Sequence, residues 1–212
     1  MCILTFKNAI RLHEDSIILY KEKRYPSAYA ISILALEEIG KYQILADFLW
    51  HIYVDGRGAK RNETDEIKSL LTIYDHKHKQ KIFAREISYH SPKFPASFSR
   101  DIQNDRLDIL KQNSIYVGLS KTKKEIDIKG KIISPMNISQ KQARKRITTI
   151  NDYFLYLAAL ILSDGYSMDF DEIEQLLDRN SIIKFQNLWP QMTPSIGKRF
   201  NKIIDQFDNK FR

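Results

Sequence analysis

Glu37 and Lys41 interrupt an apolar ladder. Ala30, Leu34, Glu37, Lys41, Leu45 and Phe48 follow steps of three and four residues, which place them on one face of a helix. A lone charge on such a face is costly to bury, so these two either pair or face a polar cleft. The simplest pairing is with each other, an i,i+4 salt bridge worth roughly 0.2–0.5 kcal/mol. Glu38 projects about 100° from Glu37, so the two carboxylates do not form a glycosidase-like pair. A second ladder, Ile73, His76, Gln80, Phe83 and Ile87, carries His76 with Lys79 one turn on. Histidine is suited to general acid–base work near neutral pH, and Lys79 to binding a phosphate or a phosphorane-like charge. His78 shares a stripe with Leu71, Tyr74 and Ile82, so periodicity leaves both histidines open. The two lie about 200° apart on a helix and cannot chelate one metal ion from one face. Arg85 and His90 form a third candidate, the arginine holding a phosphate while the histidine takes a proton from a 2′-hydroxyl. They converge only if the helix breaks near Tyr89, which Pro92 favours. The plain alternative for every one of these groups is structural, a salt bridge or a packed core histidine.

Composition narrows the chemistry. Of 212 residues only seven are Gly, and neither G-x-G-x-x-G nor a Walker-type phosphate loop occurs. No G-x-S-x-G is present, and Cys2, the sole cysteine, excludes disulfides within the chain and thiolate zinc sites. No metal or cofactor is expected. The net charge is +8, and nine Lys or Arg against Glu125 and Asp127 between Lys121 and Arg146 concentrate +7 of it. Asp75 to Lys93 nets a further +3. Clustered cations suit a polyanion, so Lys77, Lys121, Lys123, Lys124, Arg144, Lys145 and Arg146 are candidate RNA contacts. Charges break every apolar stretch, so neither a signal peptide nor a membrane span is expected and the protein reads as soluble and cytoplasmic.

The elements that must position these groups are helical. Phe6, Ala9, Ile10, His13, Ile17 and Tyr20 mark a first helix, and Pro26 fits the first turn of the next. That second helix, about Ser27 to Val54, is apolar on nearly every side and so is expected at the centre of the fold or in a dimer interface. Asp55-Gly-Arg-Gly58 breaks the chain. One helix is expected from about Glu63 to Tyr89 and another from Asp101 to Asn113, followed by a loop or small hairpin over 114–135. Ser139 is placed to cap a long helix to about Ser163. Pieces near 169–178, 181–188 and 195–209 finish the chain. The expectation is an all-α antiparallel bundle over 1–163 with a hairpin insertion, and a C-terminal helical extension over 164–212.

Four segments in order resemble the AbiV family of bacterial abortive infection proteins, related to the HEPN superfamily of helical domains. They are Ala30-Ile-Ser-Ile-Leu-Ala-Leu-Glu-Glu-Ile-Gly-Lys41, Asp75-His-Lys-His-Lys79, Lys111-Gln-Asn-Ser-Ile-Tyr-Val117, and Gly130 with Ser134-Pro135. The resemblance spans about residues 27 to 160, and its first segment is the most specific. Where the family usually reads L-Y-V-D, this chain has Ile115-Tyr-Val-Gly118, without the acidic residue. The resemblance implies phage defence in which the infected cell stops growing. It also implies a metal-independent endoribonuclease acting as a homodimer, with Glu37, Glu38 and Lys41 facing His76 and Lys79, and Arg85 and His90 as a further cleavage motif. A phage-encoded protein would be the activator and RNA of the host translation machinery the target. The runner-up is a non-catalytic protein that senses phage and blocks translation by binding RNA or ribosomes. A DNA-binding regulator is the weakest reading, since no helix-turn-helix with a basic recognition helix stands out.

Overall fold

Helical periodicity is realised throughout the computed structural model, which describes residues 1–55, 67, 68, 70–90, 96–119, 132–164 and 171–210. Helix α1 (Cys2–Lys21) buries Phe6, Ala9, Leu12, His13, Ser16 and Ile17. It turns through Lys23, a left-handed residue (φ 61°), into α2 (Tyr25–Asp55), with Pro26 in the first turn as expected. Helix α2 is the central element: α1 and the helices over 76–90 and 140–164 pack around it, burying Tyr29, Ile33, Leu36, Ile39 and Tyr42. Gly40 sets how closely α3 (His76–His90) can lie, because a Cβ on it would come within 2.1 Å of the Lys79 carbonyl oxygen. The glycine of the E-E-I-G-K segment is thus a packing device that lets two backbones touch.

Two expected helices are each broken. The stretch read as one helix to Tyr89 instead passes through a 3₁₀ turn at Thr72–Tyr74 and an extended Asp75. The Asp75 carboxylate accepts the backbone N–H of His78 at 3.0 Å, so α3 starts afresh and His76 falls in its first turn. Likewise 101–113 divides into α4 (Ala96–Gln103) and α5 (Arg106–Asn113) at Asp105, which is left-handed with φ 55°. Asp tolerates that conformation better than most residues, and the sequence reading passed over it.

Gly118–Leu119 (β1) pairs antiparallel with Ile132–Ile133 (β2), the described ends of the expected hairpin. Helix α6 (Gln140–Asp164) begins at a capping box in which the Ser139 hydroxyl accepts the Gln142 N–H and the Gln142 amide oxygen accepts the Ser139 N–H. Its Ile147, Ile150, Phe154, Leu157, Ala158 and Ile161 are all buried, as their spacing requires. The C-terminal helices α7 (Asp171–Leu176), α8 (Arg179–Leu188) and α9 (Pro194–Lys210) pack back on the bundle. Phe185 stacks on Phe154 at 5.3 Å. Polar ties fix the same segment: Asn151 donates to the Trp189 carbonyl, and the Trp189 indole to Thr148. No helix among the described residues is long and apolar enough to cross a membrane.

Candidate active site

The Glu37 carboxylate is where three helices meet. It is buried in the middle of α2 and points away from Lys41, so the expected i,i+4 pair with that lysine does not form. His76 from α3 donates from Nδ1 to Oε2 at 2.6 Å. Gln80, one turn along α3, donates to Oε1 at 2.9 Å, and Lys111 from α5 donates to the same oxygen at 2.8 Å. A carboxylate only accepts, so these bonds place a proton on Nδ1 of His76 and leave Nε2 as the working nitrogen. The His76 side chain is 55% exposed while that of Glu37 is 3% exposed. A buried anion therefore orients a ring that solvent reaches, the arrangement in which an acid positions a histidine for proton transfer.

Packing also decides between the two histidines. His76 bonds Glu37 and shares a face of α3 with buried Gln80, Phe83 and Ile87, whereas His78 shares its face with half-buried Ile82 and makes no bond to that carboxylate.

Two lysines stand beside Glu37 in opposite electrostatic states. Burial lowers the pKa of Lys79, only partly offset by the charges of Glu37 and Glu38, and its ammonium makes no ion pair among the described residues. Burial also lowers that of Lys111, but its hydrogen bonds to Glu37 and Asp108 outweigh this and the net shift is upward. Lys111 is a fixed cation compensating Glu37, held by Asp108 at 3.0 Å. Lys79 is a partly desolvated cation that an incoming anion would satisfy.

Lys111, Gln80 and Asp108 complete the cluster without having been given a role from sequence. Lys111 lies between buried Leu107 and Ser114 at helical spacing, the same interruption of a stripe that marked Glu37. What could not be read was the left-handed Asp105, which starts α5 and with it the approach of Lys111. Glu38 turns toward α1, accepting from Asn8 at 3.2 Å with Lys41 4.0 Å away, so both border the cluster and do not enter it. Arg85 lies outside it as well, exposed and paired with Asp47 at 3.0 Å and Glu86 at 3.2 Å. Helix α3 remains helical through His90, so the break near Tyr89 that would converge Arg85 with His90 is not made. The His90 side chain lies outside the described residues.

Of the candidate RNA contacts, Arg144 and Lys145 are exposed on the first turns of α6. Lys77 is engaged by Asp105 at 2.6 Å. Arg146 corrects the sequence reading: it is 4% exposed, its guanidinium over the Phe98 ring at 4.6 Å, because its place on α6 faces the core and not solvent. Lys121, Lys123 and Lys124 lie outside the described residues. No three His, Cys, Asp or Glu side chains converge as metal ligands among the described residues.

No curated protein and no solved structure matches the chain. The AbiV family model, of HEPN type, matches residues 2–155, which contain Glu37, His76, Lys79, Gln80 and Lys111. With the helical fold and the shared segments, this match assigns the chain to the AbiV family of HEPN-type abortive infection proteins.

Proposed function

We propose that the chain is an endoribonuclease of abortive infection, dormant until a phage product engages it, with His76 as its general base and acid. The observation that carries this is the 2.6 Å bond that Nδ1 of the half-exposed His76 donates to buried Glu37. The substrate supplies the nucleophile. Nε2 of His76 takes the proton of a ribose 2′-hydroxyl, the 2′-oxygen attacks the adjacent phosphorus, and the 5′-oxygen leaves with a proton. A 2′,3′-cyclic phosphate and a 5′-hydroxyl result, with no metal or cofactor required by the proton balance. Lys79 neutralises the charge that builds on the phosphoryl oxygens. Gln80 and Lys111 hold Glu37, and Glu38 with Lys41 shapes the edge of the site. Arg144 and Lys145 grip the RNA backbone without reading sequence.

The working unit in this reading is a homodimer. Exposed Leu71 and Tyr74, just before His76 in the chain, support it by offering apolar surface. The activator is a phage-encoded protein, and the target is RNA of the translation machinery.

Mapping RNA ends in infected cells at nucleotide resolution tests the reading. Wild type is expected to give discrete new 5′ ends that vanish in His76→Ala. Ends that vanish only in His90→Ala move the chemistry to the Arg85–His90 motif. Full phage resistance in both variants, at normal protein levels, sinks the nuclease and leaves a protein that blocks translation by binding.

A further inference from the structure

The first two turns of α6 hold three exposed cations close together. Lys141, Arg144 and Lys145 sit at its N-terminal end, with no acidic residue in the first turn. The helix dipole is positive there, so Lys141 in the first turn is unfavourable locally, with Arg144 and Lys145 one turn on. None of the three forms an ion pair among the described residues. They line one side of a cleft of about 310 Å³ whose other walls are Phe98 of α4 and Gln191, Met192 and Thr193 before α9. No carboxylate is among the lining residues. Thr148, also lining, accepts the Trp189 indole N–H at 3.0 Å, which leaves its own hydroxyl hydrogen free to donate. The cleft thus offers three positive charges and a hydroxyl donor beside the Met192 thioether, with buried Phe98 closing its back. An anion is the missing complement, and the apolar wall calls for more than a bare one.

We propose that this cleft binds one phosphorylated nucleotide unit, its phosphate among Lys141, Arg144, Lys145 and the Thr148 hydroxyl, its sugar and base along Gln191 and Met192. The volume lies at the lower end of small-ligand pockets, about 300–1,000 Å³, and admits one unit and not a duplex. The unit is either a free nucleotide or one residue of an RNA strand. The inference rests on the RNA-binding half of the function proposed above and gives it a place distinct from the His76 cluster.

Full-length His76→Ala protein, which leaves bound RNA uncut in that reading, is titrated with inorganic phosphate, AMP and a fluorescent five-nucleotide oligoribonucleotide over a series of salt concentrations. At least one nucleotide probe is expected to bind, more weakly as salt rises. Arg144→Ala with Lys145→Ala should weaken it at least tenfold. Gln191→Glu, which adds a carboxylate to the cleft and removes no cation, should weaken it several-fold. Lys198→Ala with Lys202→Ala on α9 should leave it unchanged. AMP binding as tightly as the oligomer identifies a free nucleotide; binding of the oligomer alone identifies a strand. The proposal is overturned if no nucleotide probe binds, if inorganic phosphate binds as well as AMP, or if the cleft and α9 variants behave alike. Histidine-dependent RNA cleavage with no nucleotide bound in the cleft sinks the cleft and spares His76. Cleft binding without histidine-dependent cleavage does the reverse.

Discussion

Two polar clusters interrupt the apolar bundle, each built around a carboxyl group and a histidine, and they are opposites. At Glu37 the anion is buried but its partners include a full cation, Lys111, and a histidine ring that reaches solvent. At the other cluster everything is sealed. His13, Asn151 and Asp152 have no exposed surface, and Nε2 of His13 bonds the Asn151 amide oxygen at 3.1 Å. Asp152 accepts the Thr193 N–H at 3.1 Å and has no cation against it among the described residues. Desolvation accordingly pushes Asp152 up to about 7 and His13 down to about 4, so both tend to neutrality. The difference is that a buried carboxylate holding a solvent-reached histidine can act on a ligand, whereas neutral, enclosed groups can only hold helices together. One cluster is the candidate site, and the other ties the C-terminal segment to α1 and α6.

The largest expected effect comes from removing the anion of the open cluster. Glu37→Ala leaves the Lys111 ammonium buried with only Asp108 beside it and should cost about 3 kcal/mol in urea unfolding. A loss under about 1 kcal/mol would show the cluster to be as loosely tied as a surface pair. Gly40→Ala, which drives a methyl group against the Lys79 carbonyl, should cost about 2 kcal/mol by parting α2 from α3. Thermal unfolding checks this, and an unchanged Tm would mean that the helices do not touch there.

The sealed cluster should announce itself in pH dependence. Asp152 has a folded value of about 7 against 3.8, so the folded state keeps a proton that the unfolded state has lost, and stability falls as pH rises through that window. His13, at about 4 against 6.5, works the other way: its contribution is whole above 6.5 and is lost as pH falls toward 4. Between these limits the two slopes cancel. Asp152→Asn should therefore unmask stability that rises with pH, by about 1 kcal/mol per unit, and His13→Gln stability that falls. Equal slopes in both variants and the wild type would mean that the cluster is not sealed. Lys41→Ala should produce the smallest change, about 0.3 kcal/mol, since its pair with Glu38 is long and partly exposed.

Much of this was legible in the residues themselves. Stripes of apolar side chains at helical spacing determined the all-α class, the centrality of α2 and the long α6 with its Ser139 cap, because burial of one helical face is a local pattern. The same ladders flagged Glu37 and His76, since a charge or imidazole on a buried stripe demands a partner whatever the fold. The partner itself was not legible. Glu37 had a suitable cation four residues away and instead meets Lys111, 74 positions on, because side-chain direction across helices depends on how α3 and α5 dock. Asp75 and Asp105 decided that docking by starting new helices, and each reads in sequence as one more polar residue on a helix. Burial reversed Arg146 in the same way, turning a cation within a basic run inward over Phe98. The sequence alone determined which positions needed compensation; tertiary packing decided what supplied it, because electrostatic pairing and desolvation act through space between elements that are far apart in the chain.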